Sequence, residues 1–118
     1  MKIAIVGSRD FSRPDLVREA VRKIAARDPT TIIVSGGARG VDTWAEEEAR
    51  RLGLIVEVYL ADWKGLGRGA GMVRNKQIVQ TADRILAFWD KTSRGTAHTI
   101  KLAKEAKKPC FVVEEPVR

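Results

Sequence analysis

The chain has 118 residues, a single cysteine and a formal net charge of +7. That length suits one domain, residues 1–118, burying roughly two thirds of its unfolded surface, so no disulfide or metal staple is required. The lone Cys110 cannot form an internal disulfide, and the apolar run in MKIAIVGSRD is too short for a signal-peptide core or a membrane span. Both features predict a cytoplasmic protein without a membrane partner.

The charge is uneven. Residues 1–60 carry 10 basic and 9 acidic side chains, whereas residues 61–118 carry 12 and 6. A basic surface favours phosphates, nucleic acid or acidic partners, and it also serves plain solubility.

In chain order, KIAIV (2–6) is an apolar run ending at Gly7 and predicts a first strand. A helix is expected from about 13 to 27, with Ser12 as its cap, Pro14 in its first turn, and Leu16, Val17, Ala20, Val21 and Ile24 on one face. TIIV (31–34) predicts a second strand. The second helix, about 41–52, is expected to bury Val41, Trp44, Ala45, Ala49 and Leu52. LIVEVYL (54–60) predicts a third strand, which Glu57 assigns to an edge. KGLGRGAG (64–71) holds four glycines and predicts a mobile loop, followed by a helix over about 72–82.

RILAFW (84–89) predicts the fourth strand. In the last helix, about 95–107, Ala97, Ile100, Ala103 and Ala106 are expected inward and Lys101, Lys104, Lys107 and Lys108 mostly outward. Pro109 then opens a fifth strand, CFVV, with Cys110 in the core. Apolar strands joined by helices indicate a parallel sheet covered on both faces. The expected architecture is a three-layer, doubly wound α/β domain of five parallel strands in the order 3-2-1-4-5.

Such folds bind ligands at the carboxyl ends of the strands, near the point where the winding reverses. The segments expected there are GSRD (7–10), SGGARGVD (35–42), ADW (61–63) with GMVRN (71–75), and DKTSRGT (90–96). All are rich in glycine and small polar residues, unlike the linkers at the opposite edge. SGGARGVD suits an anion, because its glycines admit close backbone approach and the next helix presents free N–H groups. It is neither a Walker A loop nor a GxGxxG fingerprint, and a tight strand–helix turn is its ordinary role.

SRGT offers Ser93, Gly95 and Thr96 at another helix start, where a simple cap is the alternative. Arg74 and Asn75 supply a charged fork and an amide, or else a solvated helix face. The candidate nucleotide- and phosphate-binding set is Gly7, Ser8, Arg9, Ser35, Gly36, Gly37, Gly40, Asp42, Arg74, Asn75, Asp90, Ser93, Gly95 and Thr96. A carboxylate repels phosphate, so Asp42 suits a ribose hydroxyl or the loop's own hydrogen bonds, and Asp90 a sugar or Arg94. Trp63 and Trp89 fall near this edge, where core packing is the ordinary role and base stacking the alternative. His98 is the sole histidine, one turn into the last helix. No metal-ligand spacing, Ser–His–Asp set or nucleophilic cysteine setting is present, and no cofactor is expected beyond a nucleotide-type ligand.

GSRDF, SGGARGVDTWAEEEA, ADWKGLGRGAGMVRN and AFWDKTSRGTAHTIKLA, in this order and spacing, resemble the YspA-like branch of the SLOG superfamily over nearly the whole chain. The resemblance implies a small Rossmann-like domain related to Lonely Guy phosphoribohydrolases, which release a base from a nucleoside monophosphate. It also implies kinship with the DNA-processing protein A family, which binds single-stranded DNA. A homodimer is implied by the resemblance alone.

Lonely Guy enzymes carry PGGxGTxxE. Here Gly95 and Thr96 match its glycine and threonine, while His98 and Thr99 occupy the region of the expected acid. The resemblance thus implies a retained phosphate cradle and a lost catalytic glutamate, for which Asp10, Asp42 or Asp90 could substitute. Three functions follow: a nucleotide-ligand sensor or processing factor, a nucleotide N-glycosidic hydrolase, and a single-stranded nucleic-acid binder.

Overall fold

The computed structural model describes residues 1–115; the last three positions of the expected 1–118 domain lie outside the described residues. The elements are β1 (Lys2–Gly7), α1 (Pro14–Arg27), β2 (Ile32–Ser35), α2 (Val41–Arg51), β3 (Ile55–Val58), α3 (Trp63–Leu66), a 3-10 turn (Gly67–Gly69), α4 (Ala70–Thr81), β4 (Arg84–Trp89), α5 (Arg94–Glu105) and β5 (Cys110–Glu114). All strand pairs are parallel, and the order is β3-β2-β1-β4-β5, as expected. Among the described residues no helix is long and apolar enough to cross a membrane.

Side chains alternate across a strand, so the central β1 feeds two cores. Ile5 packs with Val17, Val21, Ile33, Val41, Ala45 and Phe88 on the α1–α2 side. Ala4 and Val6 pack with Val34, Ile78, Val79, Ile85 and Ala103 on the α4–α5 side. Phe11 meets Phe88 edge to face at 5.6 Å. Trp44 is half-buried against the first core. Glu57 lies on edge strand β3 as expected, and the Lys2 ammonium pairs with its carboxylate at 2.9 Å.

Several expectations are corrected. Ser12 does not cap α1. A residue before proline is driven toward extended backbone, so the cap position falls at Arg13 (φ −121°, ψ 75°), without a side-chain cap bond. Strand β3 is shorter than expected, because its partner β2 ends at Ser35, whose carbonyl takes the last ladder bond from Tyr59 N–H at 2.8 Å. Residues 63–69 form helical turns rather than an open loop. Asp62 Oδ1 accepts from Gly65 N–H at 2.9 Å and caps α3, and α4 begins at Ala70.

Helix α5 stops at Glu105, Lys107 takes a positive φ of 57°, and Ala106 is exposed rather than inward. Lys108 turns back instead of outward. Its ammonium donates to the carbonyls of Val79, Gln80 and Ala82 at 2.6–2.9 Å, satisfying the C-terminal end of α4. Cys110 is half-buried and packs against the edge of the second core, and burial raises its thiol pKa.

Candidate functional site

Above the carboxyl ends of β1, β2 and β4 lies a cleft of about 600 Å³. Its walls include Gly7, Arg9, Gly36, Asp42, Arg74, Asn75, Asp90, Ser93, Gly95 and Thr96 from the expected set. A smaller recess of about 240 Å³ adjoins it and shares Arg9, Gly36, Ala38, Trp63 and Arg74.

The floor is a strap of hydrogen bonds. Arg74, on α4, donates from Nη1 to the Gly36 carbonyl at 2.7 Å and from Nε to Asn75 Oδ1 at 3.1 Å. The Asn75 amide nitrogen lies 3.4 Å from the Gly95 carbonyl and 3.3 Å from His98 Nδ1. With that amide as donor, His98 Nδ1 accepts and its proton sits on Nε2. The strap joins the β2–α2 turn to the start of α5. Two of the five N–H donors of Arg74 are engaged, leaving three for a ligand.

Gly36 lies where a side chain would collide. An added Cβ would sit 2.8 Å from Arg74 Nη1 and 3.0 Å from Asp42 Oδ2. Gly40 (φ 80°) caps α2, and a Cβ there would meet the Arg9 carbonyl oxygen at 2.6 Å. Gly40 therefore fits the start of α2 against the loop after β1, and it does not line the cleft.

Asp42, in the first turn of α2, is buried. Its Oδ2 accepts from Ala38 N–H at 3.1 Å, and its Oδ1 is buried with no hydrogen-bond partner. Burial pushes its pKa up to about 6, against the Ala38 hydrogen bond and the Arg74 charge, which favour the ionised form. Asp90 is different. Burial raises it, but N–H donation from Ser93 at 2.8 Å and Thr92 at 2.9 Å prevails and holds it below the usual carboxylate range. Those two bonds form a local turn at its Oδ1.

Ser8 and Ser35 sit behind the wall, and Ser93 within it serves as a helix cap. Ser8 is buried; its Oγ accepts from Asp90 N–H at 3.1 Å and lies 3.5 Å from Thr96 Oγ1. Ser35 donates to Glu46 at 2.6 Å, and Gly37 opens only onto the smaller recess. Ser93 caps α5 by accepting from Thr96 N–H at 3.3 Å. Trp89 donates from Nε1 to the Ser93 carbonyl at 3.0 Å, a structural bond, whereas Trp63 is 55% exposed at the cleft rim and is not a core residue.

The structure adds wall residues outside the candidate set: Asp10, Arg68, Met72, Arg94, His98 and Thr99. His98 and Thr99 were readable from spacing, because residues three and four apart from Gly95 share its helix face. Arg68 was hidden in a stretch read as loop.

Residues 1–65 match the model of the YspA, cpYpsA-related SLOG family. The Gene 61 protein of Mycobacterium phage D29 is 37% identical over 112 residues, covering 89% of this chain and 90% of that protein. The fold superposes on DNA processing protein A from Streptococcus pneumoniae with a TM-score of 0.82 at 21% identity, covering 99% of this chain and 50% of that one. The protein of that name from Helicobacter pylori, described for its single-stranded DNA binding mode, gives 0.76 at 24%, covering 100% and 66%. TM1055 gives 0.75 at 21%, covering 92% and 71%. The chain spans half to two thirds of the two DNA processing proteins, and these structural likenesses concern the fold.

Proposed function

The chain belongs to the YspA, cpYpsA-related SLOG family, and on that premise we propose that its cleft binds a nucleotide or nucleotide-derived ligand, as a sensor or processing factor. The observation that carries this reading is the strap from Gly36 through Arg74 and Asn75 to Gly95. It fixes an arginine fork between two helix N-termini, and fork and helix dipoles both favour an anion. Gly36 and Gly95 let a phosphate approach the backbone, Arg9 and Arg74 neutralise it, and a cleft of about 600 Å³ has room for the attached nucleoside.

The test is thermal unfolding with AMP, ADP-ribose, NAD, other nucleoside phosphates and a short single-stranded DNA, for the wild type and Arg74→Ala. A nucleotide at about 100 times its dissociation constant adds roughly 2.7 kcal/mol. A rise in melting temperature with one nucleotide, lost in the variant, is expected. No rise with any nucleotide overturns the reading.

A second reading, single-stranded nucleic-acid binding, is favoured by Arg9, Arg68, Arg94 and Trp63, all exposed on the cleft walls. It predicts DNA affinity that falls steeply with salt. Hydrolysis of an N-glycosidic bond is the remaining alternative, read out as free base released from a nucleoside monophosphate.

A further inference from the structure

Among the described residues, one buried side-chain atom in the cleft is left without a hydrogen-bond partner. Asp42 Oδ1 is buried and unbonded, on a carboxyl that faces the cleft and is held in place through its other oxygen by Ala38 N–H. An unsatisfied buried acceptor is costly, and such atoms concentrate where a ligand completes the bonding. The other carboxyl proposed for a sugar, Asp90, accepts two backbone N–H groups at Oδ1 and is only half-buried, so water can satisfy its other oxygen. The sugar-facing role therefore falls to Asp42.

The kind of ligand group follows from what surrounds that oxygen. A bare phosphate oxygen offers no proton to it and would meet repulsion. A hydroxyl donates. Gly36 separates the carboxyl from the Arg74 guanidinium, since a Cβ on Gly36 would touch both groups. The wall thus offers a donor fork and a bare acceptor side by side, which matches an anionic phosphate ester and a hydroxyl on one ligand. Building on the nucleotide reading above, we infer that Asp42 makes the cleft select ribonucleotides over deoxyribonucleotides, its Oδ1 accepting a hydrogen bond from a ribose hydroxyl.

Selection of this kind is effective because the analogue lacking the hydroxyl leaves the buried acceptor unpaired. A hydrogen bond to a charged acceptor corresponds to a preference of about ten- to a hundredfold.

The experiment is calorimetric titration of the full chain with the four ribonucleoside 5′-monophosphates, their 2′-deoxy counterparts and 3′-deoxyadenosine monophosphate. The same series is repeated for Asp42→Ala and Asp42→Asn. At least one ribonucleotide is expected to bind at least tenfold more tightly than its deoxy analogue. In Asp42→Ala the ratio should collapse to less than threefold, chiefly through lost ribonucleotide affinity, with a cooperative unfolding transition as the check on folding.

Should Asp42→Ala fail to fold, Asp42→Asn keeps an acceptor for Ala38 N–H and should still cut the ratio severalfold. Wild-type binding of both sugars with equal affinity overturns the inference and leaves the nucleotide reading standing. A ratio that persists in both variants overturns it too, since the discrimination would arise elsewhere. Failure of every nucleotide to bind the wild type overturns the nucleotide reading itself.

Discussion

Arg74 donates to the carbonyl oxygen of Gly36, 38 residues earlier in the chain, at 2.7 Å. The contact orients the guanidinium through a backbone atom, so N–H groups of the fork stay open to a ligand.

That geometry makes Arg74→Lys a non-conservative change. Lysine keeps the positive charge but cannot engage Gly36 and Asn75 while presenting a planar fork. Nucleotide affinity is expected to fall about tenfold or more in Arg74→Lys, with the melting temperature nearly unchanged. Titration calorimetry beside thermal unfolding checks this. Wild-type affinity in the lysine variant would mean that charge alone is recognised.

Asp42 works against stability. Its folded pKa of about 6 lies above the ordinary value of 3.8, so its contribution is fully present below about pH 4 and lost as pH rises through about 6. The nearby Arg74 partly offsets the penalty and Glu46 adds to it. Asp42→Asn should therefore stabilise the protein at pH 8 by on the order of 2 kcal/mol and show little gain at pH 4. Denaturant melts at both pH values measure it. Equal effects at the two would show that burial does not perturb this carboxyl.

Glu48 has the opposite sign. Its buried carboxylate is paired with Arg51, Arg22 and Arg18, and hydrogen bonding from Arg51 first, then from Arg22, draws its pKa down from 4.5 to about 2. Its contribution is present above about pH 4.5 and is lost as pH falls through about 2. Glu48→Gln is expected to cost about 2 kcal/mol at pH 7, less than for a fully buried pair because water screens the partly exposed arginines. The loss should shrink toward pH 2, and a loss independent of pH would assign the effect to packing alone.

The sequence carried the sheet well. The runs at 3–6, 32–34 and 85–89 are apolar throughout, and a parallel sheet covered on both faces hides such strands. The order of those strands then placed GSRD, SGGARGVD and DKTSRGT at one edge, and the cleft lies there.

What stayed illegible depends on atoms far apart in the chain. Nothing near Lys108 says that its ammonium will close the end of α4, and nothing near Glu48 announces three arginine partners, two of them on α1. The glycines of 64–71 outweighed the capping Asp62, so a short helix was read as loop. Ser8, Ser35 and Ser93 are candidates because they fall in turns at the carboxyl ends of strands. Their hydroxyls are engaged by Asp90, Glu46 and Thr96, a competition that appears only once the turns are folded.

The sheet has a seam. Strands β3, β2 and β1 form one half of the sheet, with one wall of the cleft at the ends of β1 and β2; β4 and β5 form the other half, with the opposite wall following β4. Among the described residues, the β1–β4 ladder, from Ile3 opposite Arg84 to Gly7 opposite Phe88, is the one strand pairing that joins them. A molecule resting on both Gly36 and Gly95 would bolt the two halves together above that ladder. Its presence would be felt first as slower amide exchange along β1 and β4, beneath the ligand rather than beside it.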